Sequence, residues 1–282
     1  MRLKWLLQSN GINFSQYEKL YESLKRQHYN VLDFGIISPK NLTNIENILE
    51  PNDFYIIRGG VRLLTILNEV KNISECNEFL SEEQINNSNY FLNALKNGID
   101  YNFDNFDQMF YKNLNLPLLN YDSKYIHYNE IKTSSFEKDY FIKPSRDLKS
   151  FNGGILNSNE TLLNYIMRTG YMKSIEEEII IISPIKKIYS EYRFFCIKDR
   201  IITGSRYQLN HKLDINSNIP EYVLSAAKEY VKLYNPADVF VMDLCDIPNG
   251  IKIVEYNCWN CSGLYSVDVN KLVHEVSNFK GF

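Results

Sequence analysis

The chain has 282 residues, 44% hydrophobic and 14% aromatic, with 31 Lys and Arg against 34 Asp and Glu for a net charge of −3. It can bury a substantial core and is long enough for two subdomains, and it lacks the basic footprint of a duplex nucleic-acid binder. No apolar run reaches membrane-spanning length, and five cysteines without framework spacing argue against a disulfide scaffold, so a cytoplasmic protein with no membrane contact is expected.

Trp5-Leu6-Leu7 near the start is too short for a secretory apolar segment. FSQYEKLYESLKRQ (14–27) has helical periodicity, and NVLDFGII (30–37) reads as a short strand. DFYIIRGGVRLLTILNEV (53–70) reads as a strand that breaks at Gly59-Gly60 into a helix. This alternation predicts a small α/β domain over residues 1–120. Two readings of it stand: packing support, or capture of an acidic substrate group by Arg58 and Arg62, with the glycines allowing close backbone approach. Residues 98–131 are dense in Asn, Asp, Tyr and Phe, and predict a helix around 104–113 and a loop at Pro117.

DYFIKPSRDLKSFNGG (139–154) is a short strand carrying Lys143, then a polar loop ending in Gly153-Gly154. A lysine at a strand end is a point charge suited to phosphate, and a glycine loop can bring backbone N–H groups near it. Neither GxxxxGK[ST] nor GxGxxG after a strand occurs, which excludes P-loop and Rossmann phosphate binding. EEEIIIISPI (176–185) reads as a further strand.

EYRFFCIKDRIITGSRYQ (191–208) predicts a hairpin turning at Asp199-Arg200, which sets Arg193 opposite Arg206. Two guanidiniums facing one another want an anion, and their planar forks suit phosphate oxygens. VFVMDLCDIPNGIKIVEYN (239–257) predicts a second hairpin. With Pro248-Asn249-Gly250 as its loop, Asp243 faces Glu255, and period-2 alternation puts Asn257 on the same face. Like charges across a sheet need a cation between them, and such an all-oxygen set suits Mg²⁺. A two-residue loop would shift this register by one.

Cys258 and Cys261 spell CxxC, but a tetrahedral zinc site needs four ligands, and a thioredoxin-like motif opens a helix rather than following a strand. Packing is the expected role of these thiols. The four histidines accompany no nucleophile motif.

The order of these elements, lysine strand with glycine loop, then E-x-R, then D…E-x-N, resembles the ATP-grasp superfamily. SEYRFF (190–195) and IVEYNCWNCSGLY (253–265) are similar to the small phage and bacterial proteins of its R2K clade, over roughly residues 120–282. The resemblance implies an α+β fold. A small amino-terminal α/β domain (1–120) would precede two subdomains, about 121–185 and 186–282, that clamp ATP between antiparallel sheets. It further implies Lys143 on the α/β-phosphates, the loop 145–154 with Gly153 and Gly154 over ATP, and the backbone from Ser183 to Ile185 as the adenine hinge. Glu191, Arg193 and Arg206 would line the nucleotide site, the two arginines facing phosphate, and Asp243, Glu255 and Asn257 would hold Mg²⁺. Lys124 and Lys132 are both candidates for an earlier phosphate-binding lysine. The implied chemistry is carboxylate activation as an acylphosphate and its capture by an amine or similar nucleophile, on small-molecule or peptide substrates. A kinase on the same scaffold and an inactive nucleotide-binding protein are the alternatives.

Overall fold

The computed structural model describes residues 3–9, 14–34, 53–60, 103–146, 150–170, 175–260 and 262–279. Strand β1 (Leu3–Gln8), helix α1 (Phe14–Arg26), strand β2 (Asn30–Phe34) and strand β3 (Phe54–Arg58) build a three-stranded parallel sheet ordered β2-β1-β3. The expected helix and both expected strands are present. The segment Trp5-Leu6-Leu7, weighed above only as a leader, is the middle strand, and all three residues are fully buried. A central parallel strand is covered on both faces, so it reads as a continuous apolar run rather than an alternating one. Helix α1 turns Leu20 and Leu24 inward and ends on Lys25 and Arg26, where cations complement the helix dipole. The expected helix after Gly60 and the residue Arg62 lie outside the described residues.

A 3₁₀ turn at Phe103–Phe106 and one helical turn at Gln108–Tyr111, capped by Asp107, replace the longer helix expected around 104–113. Strands β4 (Lys124–His127), β5 (Tyr140–Pro144) and β6 (Gly154–Leu156), helix α2 (Leu162–Thr169) and strand β7 (Ile179–Pro184) follow. Their antiparallel sheet is ordered β4-β7-β5-β6. Alternation sends Ile142, Leu156, Ile180 and Ile182 toward Leu162, Tyr165 and Ile166 of α2. It leaves Phe141 and Lys143 on the other face.

Strands β8 (Ser190–Ile197), β9 (Arg200–Leu209) and β10 (Lys212–Asn216), helix α3 (Glu221–Tyr230), strands β11 (Val239–Ile247) and β12 (Gly250–Cys258), and helix α4 (Val269–Ser277) complete the chain. The five strands form an antiparallel sheet ordered β10-β9-β8-β11-β12. One face carries Tyr192, Phe194, Phe240, Met242 and Leu244 onto α3 through Val223 and Ala227. The other carries Phe195, Ile197, Val239 and Val241 onto Trp5, Ile56, Leu20 and α4. The amino-terminal sheet is therefore fused to the second face, with Trp259 Nε1 donating to the Ile57 carbonyl at 3.0 Å and Trp5 Nε1 to Ser277 Oγ at 3.0 Å.

Both hairpins turn differently from expectation. Between β11 and β12 the loop is two residues, with Ile247 opposite Gly250, but a bulge after Leu244↔Ile253 restores the expected pairing of Asp243 with Glu255. Between β8 and β9 the turn is Lys198-Asp199, and bulges leave Arg193 opposite Ser205 and Arg206 opposite Tyr192. Arg193 and Arg206 thus lie on opposite faces of the sheet, because a one-residue slip inverts every side chain beyond it.

Candidate functional site

Along the second face of the five-stranded sheet the core gives way to polar residues. Phe195 is followed by Arg193 on β8, Val241 by Asp243 on β11, and Trp259 is preceded by Asn257 and Glu255 on β12. Glu255 and Asn257 meet the cavity face of the four-stranded sheet across a space of about 490 Å³, lined among others by Lys143, Gly153, Ile185 and Glu191, while Arg193 and Asp243 are buried beside it without lining it. That size suits a small-molecule site.

Two ion pairs meet at this space. Lys143 Nζ lies 2.5 Å from Glu255 Oε2, and this ion pair bridges the two sheets. Arg193 is bidentate on Asp243, with Nε to Oδ1 at 2.9 Å and Nη2 to Oδ2 at 2.7 Å. Asn257 Nδ2 also donates to Asp243 Oδ2, at 3.1 Å. Among the described residues, each of the two facing carboxylates therefore has a cation supplied by the protein. Burial alone would lower the Arg193 pKa, but the charge and hydrogen bonds of Asp243 outweigh it and hold the guanidinium protonated. Beside them the Tyr207 hydroxyl donates to Glu191 Oε2 at 2.5 Å. Burial pushes the Glu191 carboxyl up, with Asp243 and Glu255 adding to the rise and the Tyr207 hydrogen bond opposing it. Burial likewise raises the Tyr207 phenol, reinforced by Asp243 and Glu191.

The expected glycines close the space from the other sheet. A Cβ at Gly153 would stand 2.9 Å from Lys143 Cβ, and one at Gly154 would stand 2.6 Å from Tyr165 Oη, so both positions require the absence of a side chain. At the far end Ser183 is buried and donates to Asn120 Oδ1 at 3.0 Å, while Ile185 is half exposed along the wall. Lys186 Nζ joins them, 3.0 Å from Ser183 Oγ and 2.6 Å from Asp122 Oδ1.

Other expected residues are elsewhere. Arg206 pairs with Asp214 on β10, Nε to Oδ1 at 2.9 Å, on the face opposite Arg193. Arg58 is 2% exposed and lies 4.8 Å from the Trp259 ring, donating to the Ser262 carbonyl; it is packed inside the fused core rather than presented to a ligand. Lys124 is exposed on the edge strand β4 and Lys132 reaches Asn129 Oδ1 at 3.2 Å, and neither lines the space. Asn120, Lys186, Tyr207 and Tyr265 were not anticipated. Tyr207 directly follows the misplaced Arg206, so a correct register would have found it, whereas nothing local singles out Tyr265.

The donor set fits a divalent cation of the oxygen-preferring kind. Among the described residues no three His, Cys, Asp or Glu side chains cluster as a metal centre. Mg²⁺, however, is commonly held by one or two carboxylates with water and substrate phosphate, and Asp243 and Glu255 are adjacent across the hairpin with Asn257 beside them.

Comparison with known proteins follows this geometry. The profile of the ATP-grasp domain, R2K clade family 2, matches residues 123–274. No curated protein matches the sequence. Among solved structures, a RimK domain ATP-grasp protein from Sphaerobacter thermophilus is similar with a TM-score of 0.56 at 11% identity, covering 98% of this chain and 97% of that one. D-alanine–D-alanine ligase from Bacillus anthracis, solved with ATP, gives a TM-score of 0.53 at 9% identity, covering 92% and 85%. The ATP-grasp ligase PsnB, solved with a minimal precursor, gives 0.53 at 12% identity, covering 97% of each chain. At these identities the likeness is one of fold.

Proposed function

Since the chain belongs to R2K clade family 2 of the ATP-grasp domain, we propose that it is an ATP- and Mg²⁺-dependent ligase that activates a carboxylate as an acylphosphate and joins it to an amine or similar nucleophile. The observation that carries this is a pair of ion pairs, Lys143 with Glu255 and Arg193 with Asp243, whose carboxylates face each other across one hairpin beside a cavity between two sheets. Such an arrangement holds charge in both signs before any ligand arrives. It is what a site handling triphosphate and a divalent cation needs, because preorganised charges stabilise a transition state without reorganisation.

In this reading Lys143 and Arg193 bind phosphate oxygens and Asp243, Glu255 and Asn257 hold Mg²⁺, which when bound supplies charge neutralisation and orientation. Gly153 and Gly154 let the β5–β6 loop approach the phosphates, and Ser183, Ile185 and Lys186 border the base. Glu191, whose pKa burial raises, reaches a ribose hydroxyl. No protein nucleophile takes part: the substrate carboxylate attacks the γ-phosphorus, ADP leaves, and the amine then displaces phosphate from the acyl carbon. The names of D-alanine–D-alanine ligase and of PsnB with its precursor support amino acids or peptides as the acceptor class.

The test is a panel of amino-acid and peptide carboxylates with amines, assayed for ADP and free phosphate. Free phosphate that requires both a carboxylate and an amine supports the ligase. ADP with a phosphorylated hydroxyl and no free phosphate would assign a kinase. Absence of any Mg²⁺·ATP-dependent rise in melting temperature would remove the nucleotide reading altogether.

A further inference from the structure

Tyr265 is an aromatic residue with φ of 47°, in the left-handed region that bulky side chains avoid. Strain of this kind persists only where the surroundings hold it, and here they do. The backbone N–H of Leu264 donates to Gln16 Oε1 at 2.9 Å on one side, and that of Asp268 donates to Thr203 Oγ1 at 2.9 Å on the other. The strained backbone lays the Tyr265 ring parallel to Tyr207, with centroids 5.1 Å apart and planes at 11°. The Arg193 guanidinium lies 5.2 Å from the Tyr265 ring and 5.5 Å from the Tyr207 ring. Gly263 completes the fit, since a Cβ there would stand 3.3 Å from Tyr265 Cζ and 3.6 Å from Arg193 Nη1.

We propose that Tyr265, with Tyr207, is a positioning residue that seats the Arg193 guanidinium independently of its carboxylate partner. The bidentate bond to Asp243 fixes Arg193 only while Asp243 stays turned toward it. A ring face attracts the cation without consuming its N–H donors, so the guanidinium keeps its place when Asp243 is engaged elsewhere, and its donors remain available to an anion. That anion is a phosphate group if the nucleotide reading above holds, on which this last step rests. The strain at Tyr265 is thus retained for the placement of a charge.

The seat is tested on the unliganded protein by NMR of the Arg193 side-chain Nε–H, assigned by the resonance missing from Arg193→Lys. Tyr265→Leu keeps apolar bulk without a π face and is expected to speed exchange of this hydrogen about tenfold, the scale of a desolvated cation–π contact. Tyr265→Phe keeps the face and is expected to restore slow exchange. Tyr265→Met takes the place of the leucine variant should that one not fold. Unchanged exchange in the non-aromatic variant, or equal acceleration in Tyr265→Phe, overturns the proposal. In a second arm, calorimetry with Mg²⁺ and a non-hydrolysable ATP analogue should show about tenfold weaker binding in Tyr265→Leu. The same change should cost nothing further in an Arg193→Met background, since residues acting through one another are not additive. A full further loss in that background overturns the proposal. If the wild-type protein does not bind the analogue, the nucleotide reading falls and the exchange measurement still decides the seat.

Discussion

Asp243 and Glu255 face each other across one hairpin but have different obligations. Asp243 is 1% exposed and bound to a guanidinium that is 10% exposed, so Asp243→Asn leaves a buried cation without its counter-charge. Breaking one side of a buried pair is costly, and a loss of about 3 kcal/mol in unfolding free energy is expected, measured by denaturant titration. Glu255 is 30% exposed, so water reaches its ion pair with Lys143, whose side chain is 12% exposed. Glu255→Gln should leave the unliganded fold near wild type and abolish the Mg²⁺-dependent part of the nucleotide-induced rise in melting temperature. An unchanged shift would return Glu255 to a purely structural ion pair. Arg206 presents the opposite case. Its ion pair with Asp214 is partly solvated, so Arg206→Met is expected to cost less than about 1 kcal/mol. The variant should keep the full nucleotide-induced shift, and loss of that shift would bring Arg206 back to the site.

Turn chemistry and alternation identified β5, β7, β8, β9, β11 and β12 but missed β4 and β6, the second of which carries Gly154, and register was only half legible. In the metal hairpin the loop is one residue shorter than the Pro-Asn-Gly sequence suggests, and one bulge cancels the error, so Asp243 still meets Glu255. In the arginine hairpin the turn lies one position earlier than counted, and the bulge near Ile202 restores only half of the offset before Arg193 is reached. Bulges depend on packing from above and below the sheet, which no local pattern records. The four-stranded sheet carries its own titration. Glu178, just before β7, is buried, and burial raises its pKa from the usual 4.5, with Asp107 adding to the rise and the charge of Arg146 opposing it. A carboxyl whose folded pKa is raised holds its proton more tightly when folded, so stability is full below about pH 4.5 and is lost as pH rises through the interval above it. Glu178→Gln is therefore expected to raise the melting temperature at pH 7 by about 2 °C or more. The gain should vanish as the pH is lowered below 4.5. A gain that persists in acid would show that burial of the charge is not its cause.

At the scale of the molecule, the amino-terminal α/β part was legible from its alternation of strand and helix, while the two antiparallel sheets were expected from the family resemblance. How the parts join was not. Trp5, Ile56 and Trp259 meet in one core although the first and last are 254 positions apart in sequence, and sequence patterns report faces rather than which faces meet. The same fusion explains why Arg58, for which sequence left packing and ligand capture both open, is clasped by the Trp259 ring and the Ser262 carbonyl.

The stretch 117–119 pairs with the outer edge of β12: Ile253 N–H donates to the Pro117 carbonyl at 2.9 Å, and Leu119 N–H to the Ile253 carbonyl at 2.8 Å. Strand β12 is last in the order of its sheet, so these two bonds occupy backbone groups that would otherwise be open to another chain. Cutting the protein at residue 121 to isolate the matched region would strip this strap and uncover Val241, Phe195 and Trp259 at the same time. Such a fragment is expected to self-associate through β12 into insoluble material, as separation of soluble from pelleted protein after expression would reveal, while a fragment beginning upstream of Leu3 should stay in solution.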